Sequence, residues 1–168
     1  MAQVKRVKGP AWNTFTRAIR ELDKYQGKVG WFESAKYPGG PSVALVAAVN
    51  EFGWPEHNIP PRLGMRATAQ ALRGEWKAIA YAANKKVLRG EMSAKDAMEL
   101  LGLAAAGDIR KHIAGVTQPP LKADTVRARL RRKNIGAGRT KAIPITVAKP
   151  LVDTGRLLNS LTNIVEVK

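Results

Sequence analysis

The sequence predicts an α+β fold: a small antiparallel sheet packed against two long helices, with a basic extended arm. Three observations lead to it. Apolar residues recur at helical spacing over two long stretches, from about Gly64 to Arg89 and from Ser93 to Gly115. An early segment and the end of the chain read as half-buried strands. Between Arg132 and Pro150 no helical pattern is present while basic residues accumulate, as in segments that are functional or ordered by a partner.

Taken in order, the first element is an amphipathic helix, with Asn13 as its N-cap and Phe15, Ala18, Ile19 and Leu22 on one face. Gly27 ends it, and Lys28-Val29-Gly30-Trp31-Phe32 reads as a strand that stops at Tyr37-Pro38-Gly39-Gly40-Pro41. Ser42 caps a helix through Asn50 or Glu51, which Gly53 terminates. A proline-stiffened loop, Trp54 to Arg62, leads to the long helix, whose stripe is Met65, Ala69, Leu72, Trp76, Ile79, Ala80, Ala83 and Val87.

Ser93 and Asp96 have capping-box spacing and open the next helix, with Ala97, Leu101, Ala104, Ala105, Ile109 and Ile113 as its stripe. Gly115 and Pro119-Pro120 end it. Asp124 caps a short helix from Thr125 to Arg132, and Ile143-Pro144-Ile145-Thr146-Val147 is at best an edge strand because of its proline. Asp153 or Thr154 caps a last helix, Gly155 to Leu161, and Asn163 to Lys168 alternates as a terminal strand.

At 168 residues the chain fits a single domain, 1–168, in which 122–149 is a basic arm or insertion ordered on assembly. Alanine supplies 25 residues and Phe, Trp and Tyr together 10, so the core has small side chains and assembly would help stabilise it. There is no cysteine, which excludes disulfides, thiolate metal sites and a cysteine nucleophile. The longest apolar run, Val43 to Val49, has seven residues, against roughly 20 for a membrane span. No signal peptide is visible, and no membrane partner is expected.

Enzyme chemistry is scarce. Gly136-Ala137-Gly138 lacks the last glycine of a dinucleotide fingerprint and the lysine of a P-loop. His57 is a loop histidine, His112 suits the C-terminal end of a helix dipole, and the carboxylates Glu33, Glu51, Glu56, Asp153 and Glu166 are scattered. The expectation is no enzyme, no cofactor and no metal.

Charge is the stronger clue. Lys and Arg number 29 against 13 Asp and Glu, a formal charge of +16. Eight basic residues and one acid fall between Lys122 and Lys141. Arg127, Arg129, Arg131, Arg132, Lys133, Arg139 and Lys141 form an arm that faces either an acidic protein or the phosphates of DNA. No aromatic residue follows Tyr81, which argues against a single-strand stacking platform.

Three stretches in this order carry a family resemblance. They are Asn50-Glu51-Phe52-Gly53 followed by Ile59-Pro60-Pro61-Arg62; Pro119-Pro120-Leu121 with Thr125 and Arg127; and Lys149-Pro150-Leu151-Val152-Asp153-Thr154-Gly155-Arg156-Leu157 with Ser160. The pattern, covering roughly Ser42 to Lys168, resembles the tail-completion or head–tail joining proteins of tailed bacteriophages, the lambda-type minor tail protein Z and Mu-type virion morphogenesis group. Leu63 and Gly64 stand where that family usually has a proline and an aromatic.

The resemblance implies a non-enzymatic virion protein made in the bacterial host cytoplasm. It would act at the neck, where it completes the tail and joins it to the head as part of an oligomeric ring, most often a hexamer. Its partners would be further copies of itself, other neck and tail proteins, and genomic DNA in the channel if the arm faces inward. The Ile59–Arg62 loop and the Asp153–Arg156 turn are first of all expected to specify the fold. As the functional alternative, Ile59, Pro60, Pro61, Arg62, Arg66, Asp153, Thr154, Gly155 and Arg156 are subunit contacts, with Arg62 and Arg66 pairing with acids across them. A non-specific DNA-binding protein of phage origin is the alternative.

Overall fold

Residues 9–62, 64–132 and 149–168 of the computed structural model are described here; they form helices, a 3-10 turn and a two-stranded antiparallel sheet, an α+β arrangement. The elements are α1 (Pro10–Lys24), β1 (Tyr25–Gly30), α2 (Val43–Phe52), the 3-10 turn Pro55–His57, α3 (Met65–Leu88), α4 (Ala94–Gly115), α5 (Ala123–Arg132), α6 (Arg156–Asn159) and β2 (Thr162–Val167). The chain divides into two compact units: 1–29 with 73–105 and 163–168, and 30–72 with 106–162. The long helices α3 and α4 each contribute to both.

In the first unit the small side chains do the packing. Ala83 and Val87 of α3, Ala94 and Ala97 of α4 and Ala18 of α1 form one buried cluster, edged by Leu22, Tyr25, Leu88 and Met92. The Ser93 hydroxyl accepts from the Asp96 N–H at 3.0 Å, the expected cap of α4. The strand register is set by Lys168, whose N–H donates to the Lys24 carbonyl at 2.8 Å, and by the cross-strand pair Gln26 and Glu166 at 3.1 Å. Asn163 of β2 lies so close to α4 that a Cβ on Gly102 would sit 2.9 Å from it.

Two boundaries in this unit differ from expectation. Helix α1 begins at Pro10 with Gly9 as its N-cap, so Asn13 lies inside it; proline at the first position is pre-set for a helix. The helix ends at Lys24, not at Gly27, because Tyr25 is already extended and the pairing with β2 begins there. Strand β1 therefore starts three residues before the expected Lys28, and Trp31 and Phe32 lie beyond it.

In the second unit Val43 and Ala47 of α2, Ala106, Ile109 and Ile113 of α4, and Leu151, Leu157 and Leu161 are buried. Ser42 caps α2 as expected, accepting from the Leu45 N–H at 3.2 Å. Gly53 ends it at φ 80°, and its N–H donates to the Val49 carbonyl at 2.8 Å. That backbone conformation disfavours any L side chain, and a Cβ here would also lie 3.0 Å from the Ile59 carbonyl and Pro61. The Trp31 indole donates to the Leu157 carbonyl at 2.7 Å, tying the segment after β1 to α6.

Helix α5 begins at Ala123, so Asp124 lies in its first turn and pairs with Arg127 instead of acting as the cap. Helix α6 is shorter than expected and starts after Gly155, which takes the N-cap position at φ 75°. The expected strand at 143–147, and Lys133, Arg139 and Lys141, lie outside the described residues.

Candidate interaction site: an arginine-stitched loop cluster

Helix α3 has no acid in its first turn and no local Ser, Thr or Asp to cap it. Its free amides are met from a distance by Glu51, at the end of α2. One Glu51 carboxylate oxygen accepts from the N–H groups of Gly64 and Met65 at 2.7 and 3.0 Å, and the other from Arg66 N–H at 2.9 Å. The Arg66 side chain closes the corner: Nε donates to the same carboxylate at 3.1 Å, Nη2 to the Glu51 carbonyl at 3.0 Å, and the guanidinium stacks 4.5 Å over the Phe52 ring. Burial opposes ionisation of Glu51, but the three backbone amides and the guanidinium outweigh it and hold the carboxyl below its ordinary value.

Between α2 and α3 the loop folds on itself. Trp54 and Ile59 form an antiparallel bridge around the 3-10 turn, Asn58 takes the left-handed conformation, and His57 lies against Trp54 with ring centroids 3.9 Å apart. Pro60 and Pro61 then deliver Arg62. Its N–H donates to the Asn50 carbonyl at 2.6 Å, while the buried side chain donates from Nε to the Pro119 carbonyl at 2.9 Å and from Nη2 to the Pro120 carbonyl at 3.1 Å.

A second arginine does the same for the last stretch. Arg129 of α5 donates to the carbonyls of Lys149 at 2.7 Å and Pro150 at 3.0 Å, and its Nε lies 3.6 Å from Asp153. Arg132, one turn on, also pairs with Asp153. Burial, then the neighbouring Arg129 charge, pushes the Arg62 guanidinium pKa down. Arg129 is likewise pushed down, first by burial, while Asp153 acts in the opposite direction. Lys149 Nζ donates to the Ala114 carbonyl at 2.9 Å, and Arg156 to that of Lys36 at 2.7 Å. Arg62, Arg129, Lys149 and Arg156 thus satisfy carbonyl oxygens that irregular backbone and the end of α4 would otherwise leave bare.

These loops enclose an open cleft of about 1000 Å³ within the second unit. Of the residues expected at subunit contacts, Ile59, Pro60, Pro61, Arg62, Asp153, Thr154, Gly155 and Arg156 all line it. Arg66 does not; within its own chain it pairs with Glu51. Among the described residues the Arg62 side chain meets proline carbonyls, not an acid.

Of the two expected caps of α6, Asp153 instead receives Arg129 and Arg132, while Thr154 Oγ1 accepts from the Arg156 N–H at 3.3 Å, with Gly155 in the N-cap position itself. Arg129 was expected on the outward arm, but its side chain is only 11% exposed and faces its own chain. Arg127, Arg131 and Arg132 are exposed on α5.

Sequence reasoning missed Glu51, set aside as one scattered carboxylate. The signal was indirect: a long helix without a cap of its own needs a donated one. Among the described residues no cluster of three His, Asp or Glu could hold a metal ion. No helix among them is long and apolar enough to cross a membrane. No protein-family model, curated protein or solved structure matches the chain.

Proposed function

We propose that this chain is a structural subunit of the neck of a tailed bacteriophage, completing the tail and joining it to the head within an oligomeric ring. The observation that carries this reading is the convergence of the three stretches on which the resemblance rests. Asn50 to Arg62, Pro119 to Arg127 and Lys149 to Arg156 are far apart in sequence, yet Arg62 and Arg129 stitch them around one cleft. Residues that hold one another in this way specify a shared local fold, which is the property a family pattern selects.

The surface supports work by assembly. Trp12, Phe15 and Ile19 are exposed at helical spacing on α1, as are Tyr81 on α3 and Leu100 and Leu103 on α4. Apolar area of this kind is stabilised by burial against a neighbour. The opposing self-repulsion of a +16 chain is relieved by acidic neighbours or by DNA. The non-specific DNA-binding alternative is weakened by the inward orientation of Arg129, whose donors are taken by carbonyls of its own chain.

Native mass spectrometry of the protein, alone and with purified phage tail proteins, tests the reading. A ring-sized species in the presence of the tail proteins is expected. A monomer under every condition contradicts it.

A further inference from the structure

The cleft in the second unit is unbalanced in charge. Among the described residues five cations line it, Arg62, Lys122, Arg129, Arg132 and Arg156, against one carboxylate, Asp153. Arg62 and Arg129 are turned to backbone carbonyls and help form the floor. Lys122 is exposed and has no partner among the described residues. Arg132 is exposed and shares Asp153 with Arg129, so two guanidinium groups face one carboxylate.

The walls point to the kind of anion. Pro60, Pro61, Pro120 and Pro150 line the cleft. Prolines have no N–H to offer, so along these walls an anion is met by the cationic side chains beside them, while the pyrrolidine rings present rigid apolar surface. The carbonyls of Pro120 and Pro150 are already taken by Arg62 and Arg129. Such a cleft is pre-formed and loses little entropy on occupation. It suits a ligand that alternates carboxylates with apolar side chains. Duplex DNA offers phosphates on a convex surface, with its apolar thymine methyls recessed in the major groove away from the proline walls.

We propose that the cleft bounded by Pro60, Pro61, Pro120 and Pro150 is a docking groove for an extended acidic segment of a partner protein. Lys122, Arg132 and Arg156 meet its carboxylates, and the proline walls take its apolar side chains. The proposal does not depend on the virion role, since an acidic segment docks here whatever assembly carries it.

The test is fluorescence anisotropy on the full chain with three labelled probes: a twelve-residue peptide alternating Glu with Leu and Pro, the same peptide with Gln for Glu, and a short DNA duplex. The acidic peptide is expected to bind, and the Gln peptide about tenfold or more weaker. Lys122→Glu, whose native side chain has no hydrogen bond or ion pair among the described residues, and the double variant Lys122→Glu/Arg132→Glu are expected to weaken the acidic peptide progressively, the double variant about tenfold. Lys77→Glu/Lys85→Glu on α3, with the same change in net charge, is expected to shift it less than about threefold. Equal losses in the two double variants, or equal binding of the Gln peptide, overturn the proposal. DNA binding that Lys122→Glu weakens, with no binding of the acidic peptide, assigns the cleft to nucleic acid and overturns it as well.

Discussion

Arg62 and Pro119 lie 57 residues apart in sequence, and the guanidinium Nε of the first donates to the carbonyl oxygen of the second at 2.9 Å. With the second donor on Pro120, the side chain works as a fork that fixes the entry to α5 against the loop before α3. Arg62→Ala leaves two carbonyls without their donors and a gap where a buried side chain stood. The expected loss of unfolding free energy is about 3 kcal/mol, read from the urea midpoint at constant m. Arg62→Lys is expected to recover only part of it, because an ammonium cannot reproduce the planar fork. A loss below about 1 kcal/mol for Arg62→Ala would mean that other contacts hold these loops.

The Glu51 corner gives a pH signature. A carboxyl held below its ordinary value stabilises the fold above the unfolded pKa, about 4.3, and that contribution is lost as pH falls through the folded value. Glu51→Ala is therefore expected to cost about 1–2 kcal/mol at pH 7, as removal of a helix cap does. The gap between variant and parent should narrow as the pH falls below about 4. Denaturation curves at pH 7 and at acid pH check this, and a pH-independent gap contradicts it.

Two arginines two positions apart on α5 should behave differently. Arg129 faces the last loop and Arg131 faces solvent. Thermal unfolding of Arg129→Ala is expected to show a loss of about 2–3 kcal/mol. Arg131→Ala should stay within about 0.5 kcal/mol of the parent. Equal effects would show that α5 does not sit on the Lys149–Asp153 segment in solution.

Gly64 marks a close approach between the start of α3 and α4: a Cβ there would lie 2.8 Å from Ile113 Cγ1. Gly64→Ala is expected to cost about 1–3 kcal/mol through overpacking. Combined with Ile113→Ala, which makes room, the double variant should be more stable than the sum of the single losses by about 1 kcal/mol or more. Strict additivity would remove the contact from the account.

The parts of this fold legible in the sequence are those that periodicity and local capping encode. The stripe from Ala97 to Ile113 lies on the packed side of α4, and Ser42 and Ser93 cap where their spacing says they should. The C-terminal boundary of α1 moved because pairing with β2 outcompetes helix continuation at Tyr25, and the N-terminal one because Pro10 is pre-set for the first helical position. The site was legible as residues but not as roles. The prolines, Arg62 and the Asp153 to Arg156 turn were singled out and do share one cleft. The partners of Arg62, Arg66 and Arg129 were not legible, since each is set by backbone carbonyls or by an acid brought close only by folding. Alternating basic residues on α5 look alike in sequence; burial alone separates Arg129 from Arg131.

The most direct measurement is the titre of infectious particles from a tailed phage whose copy of this gene has been deleted, with electron microscopy of the lysate. The account predicts that titre collapses, that filled heads and tails accumulate unjoined, and that the gene supplied in trans restores whole particles. Normal yields of infectious, joined particles without the gene would contradict it.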